Sequence, residues 1–300
     1  MRKLQVVVAA LVSGVLASTL VACDSASERP SIVVTTNILG DVVTQLVGES
    51  ADVQVLMKPN ADPHSFGISA QEAAAMQDAD LIVANGLGLE EGLGSNLDNA
   101  RSEGVDVLEI SEEIDPIVYS AGSDEGNLDP HFWTDPARMI TAAEIIEDHL
   151  VEVIGQDVLS SSEAYRGELA ELDTEVAALL ESVPQEQRKL VTNHHVFGYL
   201  ADRFDYEIIG TIIPGGTTLA APSAADLRDL STTIRDNNVP AIFADSSQPQ
   251  RLADVLADEA EIDVDVIPLF TESLTEPDGE AGNYIDMQLI NAERISGALS

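Results

Sequence analysis

The sequence predicts an α/β fold of two lobes, each a parallel sheet flanked by helices, joined by one long linking helix. Three observations support this prediction. Short β-branched segments alternate with longer segments of helical periodicity, a pattern typical of parallel sheets covered by helices. These segments form two sets of four in a chain of 300 residues, which is long enough for two domains. A continuous amphipathic segment lies between the two sets.

Residues 1–22 have the plan of a secretory signal peptide and are excluded from the fold. Arg2 and Lys3 precede an apolar stretch that runs from Leu4 to Val21. The alternative is a transmembrane anchor, but an uninterrupted span usually needs about 20 apolar residues. Serine, glycine and threonine dilute this stretch, so a cleaved signal is the favoured interpretation.

The signal ends in Leu20-Val21-Ala22-Cys23, which resembles the lipobox of bacterial lipoproteins. The resemblance implies that Cys23 carries a lipid and becomes the first mature residue. Cys23 is the only cysteine of the chain, so an intrachain disulfide is impossible. We expect residues 23–30 to form a lipidated N-terminus and a flexible tether, anchored to the outer face of the cell membrane.

The two lobes are expected over residues 31–159 and 185–300. The predicted strands of the first lobe are 32–35, 53–56, 81–84 and 105–108. The predicted strands of the second lobe are 190–192, 208–212, 241–244 and 264–267.

The linking helix is predicted over residues 160–184. Leu169, Leu172 and Val176 recur at helical spacing with acidic residues between them, and Pro184 ends the pattern. At about 1.5 Å per residue, such a helix is roughly 30 Å long and reaches both lobes. We therefore expect a rigid strut and little opening between the lobes.

The formal net charge is −39, which repels phosphate and excludes nucleic acid as a partner. The simplest explanation of this charge is a solvated acidic surface. The charge alone is therefore no argument for a metal site.

Three of the five histidines follow predicted strands, at the edge where α/β sheets bind their ligands. His64 and His131 each follow an Asp-Pro pair, and the proline stiffens the backbone that presents the imidazole. His194 follows the first strand of the second set. Any one of them alone is more often a surface or core histidine, but three together indicate a metal site.

Three neutral imidazoles and one carboxylate suit Zn(II), and with a bidentate carboxylate they also suit Mn(II). Asp245 and Glu272 are the candidates for the carboxylate, because each follows a strand of the second set. Their spacing does not choose between them.

Several ordered motifs carry a resemblance to a known family. They are Thr35-Thr36-Asn37, Asp62-Pro63-His64, the segments 79–90 and 129–136, the segment from Asn193 to Tyr199, and the segment 222–227. The chain resembles the solute-binding lipoproteins of zinc and manganese ABC transporters, which include proteins described as streptococcal adhesins. The resemblance extends over nearly all of the mature chain.

The resemblance implies that the metal ligands are His64, His131, His194 and Glu272. The family usually has aspartate at the last position, so Glu272 departs from the pattern by one methylene. Asp245 is then expected to support the site or its loop. His195 is expected outside the direct ligands, because adjacent residues at a turn point in different directions.

The resemblance also implies a function. The protein would be a monomer that captures one Zn(II) or Mn(II) ion between its lobes and delivers it to the permease of a metal ABC importer, without catalysis. The choice of metal stays open, since residues 119–127 lack the histidines that some zinc-specific relatives carry there.

Two other functions compete with this one. A zinc hydrolase is less favoured, because the chain has neither His-Glu-x-x-His nor Gly-x-Ser-x-Gly. An adhesin without a transport role is the third possibility.

Overall fold

The computed structural model describes residues 29–120 and 122–300. The predicted signal peptide, Cys23 and most of the tether therefore lie outside the described residues. The first sheet contains β1 (Ser31–Val34), β2 (Asp52–Val55), β3 (Leu81–Ala84) and β4 (Asp106–Glu109). The second sheet contains β5 (Lys189–Thr192), β6 (Glu207–Thr211), β7 (Ala241–Asp245) and β8 (Asp265–Leu269).

Both sheets are parallel and share one topology. The strand orders are β2-β1-β3-β4 and β6-β5-β7-β8, so the first strand of each lobe lies inside its sheet. The carboxyl ends of all strands in a sheet meet at one edge, and loops that follow neighbouring strands converge there. The predicted fold class is confirmed.

Ten α-helices connect and cover the strands of the described residues. They are α1 (Asn37–Val47), α2 (Ala70–Gln77), α3 (Gly94–Glu103), α4 (Ile110–Glu113), α5 (Pro136–Ile154), α6 (Leu159–Glu181), α7 (Gly198–Phe204), α8 (Ala224–Asn237), α9 (Arg251–Glu259) and α10 (Tyr284–Ala298). Across the described part of the chain, these helices lack the combination of length and apolar composition that crossing a membrane requires.

The linking helix is α6, with 23 residues and a length of about 35 Å. Its buried stripe includes Leu169, Leu172, Val176 and Leu180, as the helical spacing predicts. The helix packs against α5 of the first lobe and α10 of the second. It is therefore in contact with both lobes.

The main hydrophobic core is continuous between the lobes. It contains Leu39 and Val83 from the first lobe, Leu169 from α6, and Leu190 and Phe243 from the second lobe. Two smaller clusters lie on the outer faces of the two sheets. A wide separation of the lobes would expose part of the shared core, which costs free energy in proportion to the apolar area.

Candidate metal centre

Four buried side chains meet between the lobes, three of them from loops that directly follow a strand and His131 from the segment between α4 and α5. His64 lies after β2, His131 after β4, His194 after β5 and Glu272 after β8. One nitrogen or oxygen atom from each lies within 4.8 Å of the corresponding atoms of the others. All four residues are at most 3% exposed. The structure thus brings together the four residues that the sequence analysis selected.

The distances between the donor atoms fit a small cation. Glu272 Oε1 lies 3.1 Å from His194 Nε2 and 3.8 Å from His131 Nε2, and Glu272 Oε2 lies 3.6 Å from His64 Nε2. Ligand atoms at about 2.0–2.1 Å from a tetrahedral zinc are roughly 3.3 Å apart. Both carboxylate oxygens face imidazoles, so Glu272 is able to bind through one oxygen or two.

None of these five donor atoms has a hydrogen-bond partner among the described residues. They are Nε2 of His64, His131 and His194, and both oxygens of Glu272. Buried polar atoms without partners cost about 1–3 kcal/mol each, and charged ones cost more. A cation at the centre would coordinate all five atoms at once. The arrangement therefore fits a metal-binding site.

Burial also controls the protonation of the four groups. Loss of solvent raises the pKa of Glu272 well above its ordinary value and lowers the pKa of His131 well below its own. It lowers the pKa of His194 and brings that of His64 to about 4. The site therefore disfavours both imidazolium and carboxylate forms, and a bound dication removes the penalty on the carboxylate.

The Asp-Pro-His sequences form two equivalent turns. The backbone N–H of His64 donates to Asp62 Oδ1 over 2.9 Å, and that of His131 donates to Asp129 Oδ1 over 2.9 Å. An aspartate that accepts from the backbone two residues later stabilises a tight turn. The repeat in the sequence therefore reflects one local structure used twice to present a histidine.

Asp129 also orients the ring of His131. Asp129 Oδ1 is 2.8 Å from His131 Nδ1, and the hydroxyl of Tyr119 is 3.1 Å from the same nitrogen. When Nδ1–H donates to the carboxylate, Nε2 keeps its lone pair for a metal. The sequence analysis missed this role of Asp129, although its position two residues before the histidine was a usable signal.

Side chains from both lobes meet beside His64. Glu91 Oε1 lies 3.8 Å from His64 Nδ1 and accepts a 2.7 Å hydrogen bond from Thr217 of the second lobe. Asp62 Oδ2 accepts hydrogen bonds from Thr218 and Gln248, also of the second lobe. These bonds link the lobes next to the site, and the sequence analysis did not identify them.

Asp245 and His195 lie outside the four-residue group. The carboxylate of Asp245 accepts from the backbone N–H of Ser247 over 2.8 Å and from its hydroxyl over 3.0 Å. His195 lines a neighbouring cavity of about 480 Å³ together with Asp129. Asp245 therefore stabilises its own loop, and His195 faces a different space.

Metal binding should release at most one proton per ion at a pH above about 7, the value to which burial raises the pKa of Asp129, because below it the Asp129 carboxyl beside His131 can lose a second proton. Below its raised pKa, Glu272 carries a proton that the metal displaces, so affinity falls as the pH falls through that value and is constant above it. The three histidines have lowered pKa values, so they are already neutral at that pH. Isothermal titration in buffers of different ionisation enthalpy counts the protons. Release of two or more protons per ion at that pH would contradict the assignment.

Comparison with known proteins finds a family that matches almost the whole described chain. Residues 32–298 match the family model described as zinc-uptake complex component A, periplasmic. The zinc-binding protein TroA of Treponema pallidum is 29% identical, with 92% of this chain and 91% of TroA covered. The manganese-binding lipoprotein MntA of Halalkalibacterium halodurans is 27% identical, with 91% of this chain and 89% of MntA covered.

Solved structures share the architecture. The periplasmic zinc binding protein TroA from Treponema pallidum superimposes with a TM-score of 0.83 at 28% identity, covering 91% of this chain and 99% of TroA. A Mn-bound periplasmic metal binding protein from candidatus liberibacter asiaticus gives a TM-score of 0.80 at 23% identity, covering 91% of this chain and 100% of that protein. At that identity, the second comparison bears on the fold alone.

Proposed function

This chain belongs to the family of zinc-uptake complex component A, and from that premise we propose that it is the solute-binding protein of a metal ABC importer. It captures one Zn(II) or Mn(II) ion between its lobes and delivers the ion to the membrane permease. The family resemblance predicted from the sequence is confirmed by the match over residues 32–298.

One observation carries the proposal: five buried donor atoms without hydrogen-bond partners converge between the lobes. We assign them as the ligand atoms of His64, His131, His194 and Glu272. Catalytic zinc sites usually combine three protein ligands with an open position for water. Four enclosed side chains favour a carrier over a hydrolase, and we propose no catalytic activity.

The same donor set accommodates both metals. Three nitrogens and one carboxylate oxygen suit tetrahedral Zn(II), and the second oxygen of Glu272 provides a fifth donor for Mn(II). The relatives include one named zinc-binding and one named manganese-binding. The proposal therefore covers both ions.

Metal uptake by cells tests the proposed function. Deletion of the gene should lower the accumulation of Zn(II) or Mn(II) at low external metal, and the wild-type gene should restore it. A gene carrying Glu272→Ala should not restore it. Full accumulation in the deletion strain, or restoration by the Glu272→Ala variant, would contradict a transport role for this site.

We propose that the protein is a monomer anchored through a lipid on Cys23, with residues 24–30 as the tether. The relative MntA is named a lipoprotein, and Leu20 to Cys23 resembles a lipobox. A lipid on the N-terminal cysteine keeps the metal site close to the permease.

Cys23→Ser should abolish lipidation and processing at that position, because the modification needs the thiol. Metal binding should be unchanged, since β1 begins only at Ser31. Membrane fractionation and the mass of the mature protein measure the first effect, and Ser25→Ala is the matched control. An unchanged membrane fraction together with an unchanged mature mass would show that Cys23 is not the anchor.

A further inference from the structure

The loop that carries Glu272 belongs to the second lobe by sequence but is hydrogen-bonded to the first lobe. We define the Glu272 loop as residues 271–274. Trp133 Nε1 of the first lobe donates to the carbonyl of Thr271 over 2.8 Å. The backbone N–H of Asn60, also of the first lobe, donates to the carbonyl of Leu274 over 2.9 Å. The loop is therefore held on both sides of the glutamate.

Asn37 makes the most extensive of these contacts. Its Nδ2 donates to Ser273 Oγ over 2.7 Å, and its Oδ1 accepts from the backbone N–H of Leu274 over 3.0 Å. Nδ2 also donates to the carbonyl of Lys58 over 3.2 Å. The amide thus joins the start of α1, the loop after β2 and the Glu272 loop, and Asn37 is only 8% exposed.

Local structure does not require an amide at this position. Asn37 is the first residue of α1, but Thr36 is the residue that caps the helix, through a side chain that accepts from the N–H of Leu39. The Asn37 side chain instead extends to the other lobe, where both of its polar atoms bond to the two residues after Glu272.

We propose that Asn37 is a positioning residue for the metal-binding carboxylate, an inference that rests on the proposed function. By holding the Glu272 loop against the first lobe, Asn37 keeps the carboxylate of Glu272 close to His64 and His131. Hydrogen-bonding partners that orient a metal ligand raise the affinity of the site because they reduce the cost of arranging it.

The ligands are divided unequally between the lobes. His64, His131 and Glu272 are all held by the first lobe. The backbone around His194 is bonded within the second lobe: the N–H of Ile213 donates to the carbonyl of Asn193, and the N–H of His195 donates to that of Gly215. The first lobe thus presents a three-ligand half-site, and His194 of the second lobe completes it.

Asn37→Ala should weaken metal binding by about 10–100-fold, the range typical of lost outer partners. Ser273→Ala removes the bond from Nδ2 and the bond that the Ser273 hydroxyl donates to the carbonyl of Leu274, but it keeps the bond from the N–H of Leu274 to Asn37 Oδ1, so it should weaken binding in the same direction by less. Asn99→Ala, at an exposed position of α3, is the matched control and should change nothing. Chelator competition with the mature protein measures the affinities. A cooperative thermal unfolding transition of each metal-free variant checks that the variant is folded.

A double-mutant cycle separates positioning from general stability. If Asn37 acts through Glu272, Asn37→Ala should have no further effect on affinity in the Glu272→Ala background but should keep its effect in the His194→Ala background. In Co(II)-loaded protein, Asn37→Ala should also change the visible absorption that reports coordination, which a purely structural role would leave unchanged. Should Asn37→Ala not fold, Ser273→Ala takes its place in the same cycle.

Two results would overturn the inference: unchanged affinity in Asn37→Ala and Ser273→Ala, or an equal loss with and without Glu272. Both leave the proposed function intact as long as Glu272→Ala itself weakens binding. If Glu272→Ala binds metal like the wild type, the ligand set of the proposed function is wrong, and the inference fails with it.

Discussion

Glu272→Ala is expected to weaken metal binding far more than Asp245→Ala. Both carboxylates are 1% exposed and both follow strands of the second sheet, so burial does not distinguish them. Their partners do. The oxygens of Glu272 face three imidazole nitrogens and have no hydrogen-bond donor among the described residues, whereas those of Asp245 bind the backbone and hydroxyl of Ser247.

Removal of an outer partner typically costs about 10–100-fold in affinity, so Asp245→Ala should fall in or below that range and Glu272→Ala well beyond it. Chelator competition on both variants measures the difference. Glu272→Gln is a control that keeps the volume and removes the charge, and it should also bind weakly. A larger loss in Asp245→Ala than in Glu272→Ala would reassign the fourth ligand to Asp245.

His194→Ala should likewise be far more harmful than His195→Ala. His194 is completely buried, and neither of its ring nitrogens has a hydrogen-bond partner among the described residues. Its Nε2 lies 3.1 Å from Glu272 Oε1. The ring of His195 packs beside Tyr119, with ring centroids 6.3 Å apart, and lines the neighbouring cavity.

Alanine at position 195 keeps the backbone hydrogen bond to Gly215, which makes His195→Ala a well-matched control. Its metal affinity should stay close to that of the wild type, whereas His194→Ala should lose the nitrogen donor of the second lobe. Isothermal titration compares the two variants directly. A stronger effect of His195→Ala would mean that the adjacent histidine turns into the site when metal binds.

The strands were predictable because each is a short, mainly apolar run of residues between segments of different composition. All eight predicted strands are present, with their ends displaced by at most two residues. The inner strand β3 is buried along its whole length, which explains why its sequence Leu81-Ile82-Val83-Ala84 has no polar alternation. Displacements occur at strand ends, where the last ladder hydrogen bond rather than side-chain character decides the boundary.

The choice between Asp245 and Glu272 was not available from spacing, for a geometric reason. Strands β7 and β8 are neighbours in the sheet, and Asp245 lies in register with Leu269, close to the start of the Glu272 loop. Both acids therefore reach the same edge of the sheet. The choice depends on which way each loop turns, and the bonds from Ser247 hold Asp245 within its own loop.

The contacts between the lobes were the least predictable part of the site. Asn37 and Ser273 are 236 residues apart, and Glu91 and Thr217 are 126 apart. No periodicity or local motif encodes such pairs, because they arise only when two sheets that are far apart in the sequence meet. The motif Thr35-Thr36-Asn37 was visible in the sequence, but the partners of its Asn37 side chain lie in a loop at the other end of the chain.

The number of metal ions per chain is the measurement closest to the central claim, that four side chains enclose one transition-metal ion. The mature protein is stripped with a chelator, reloaded with Zn(II) or Mn(II), and analysed by native mass spectrometry and elemental analysis. We expect one tightly bound ion per chain in the wild type and none in the His194→Ala, Glu272→Ala double variant. Two equivalent ions, no ion, or an equal content in the double variant would contradict it.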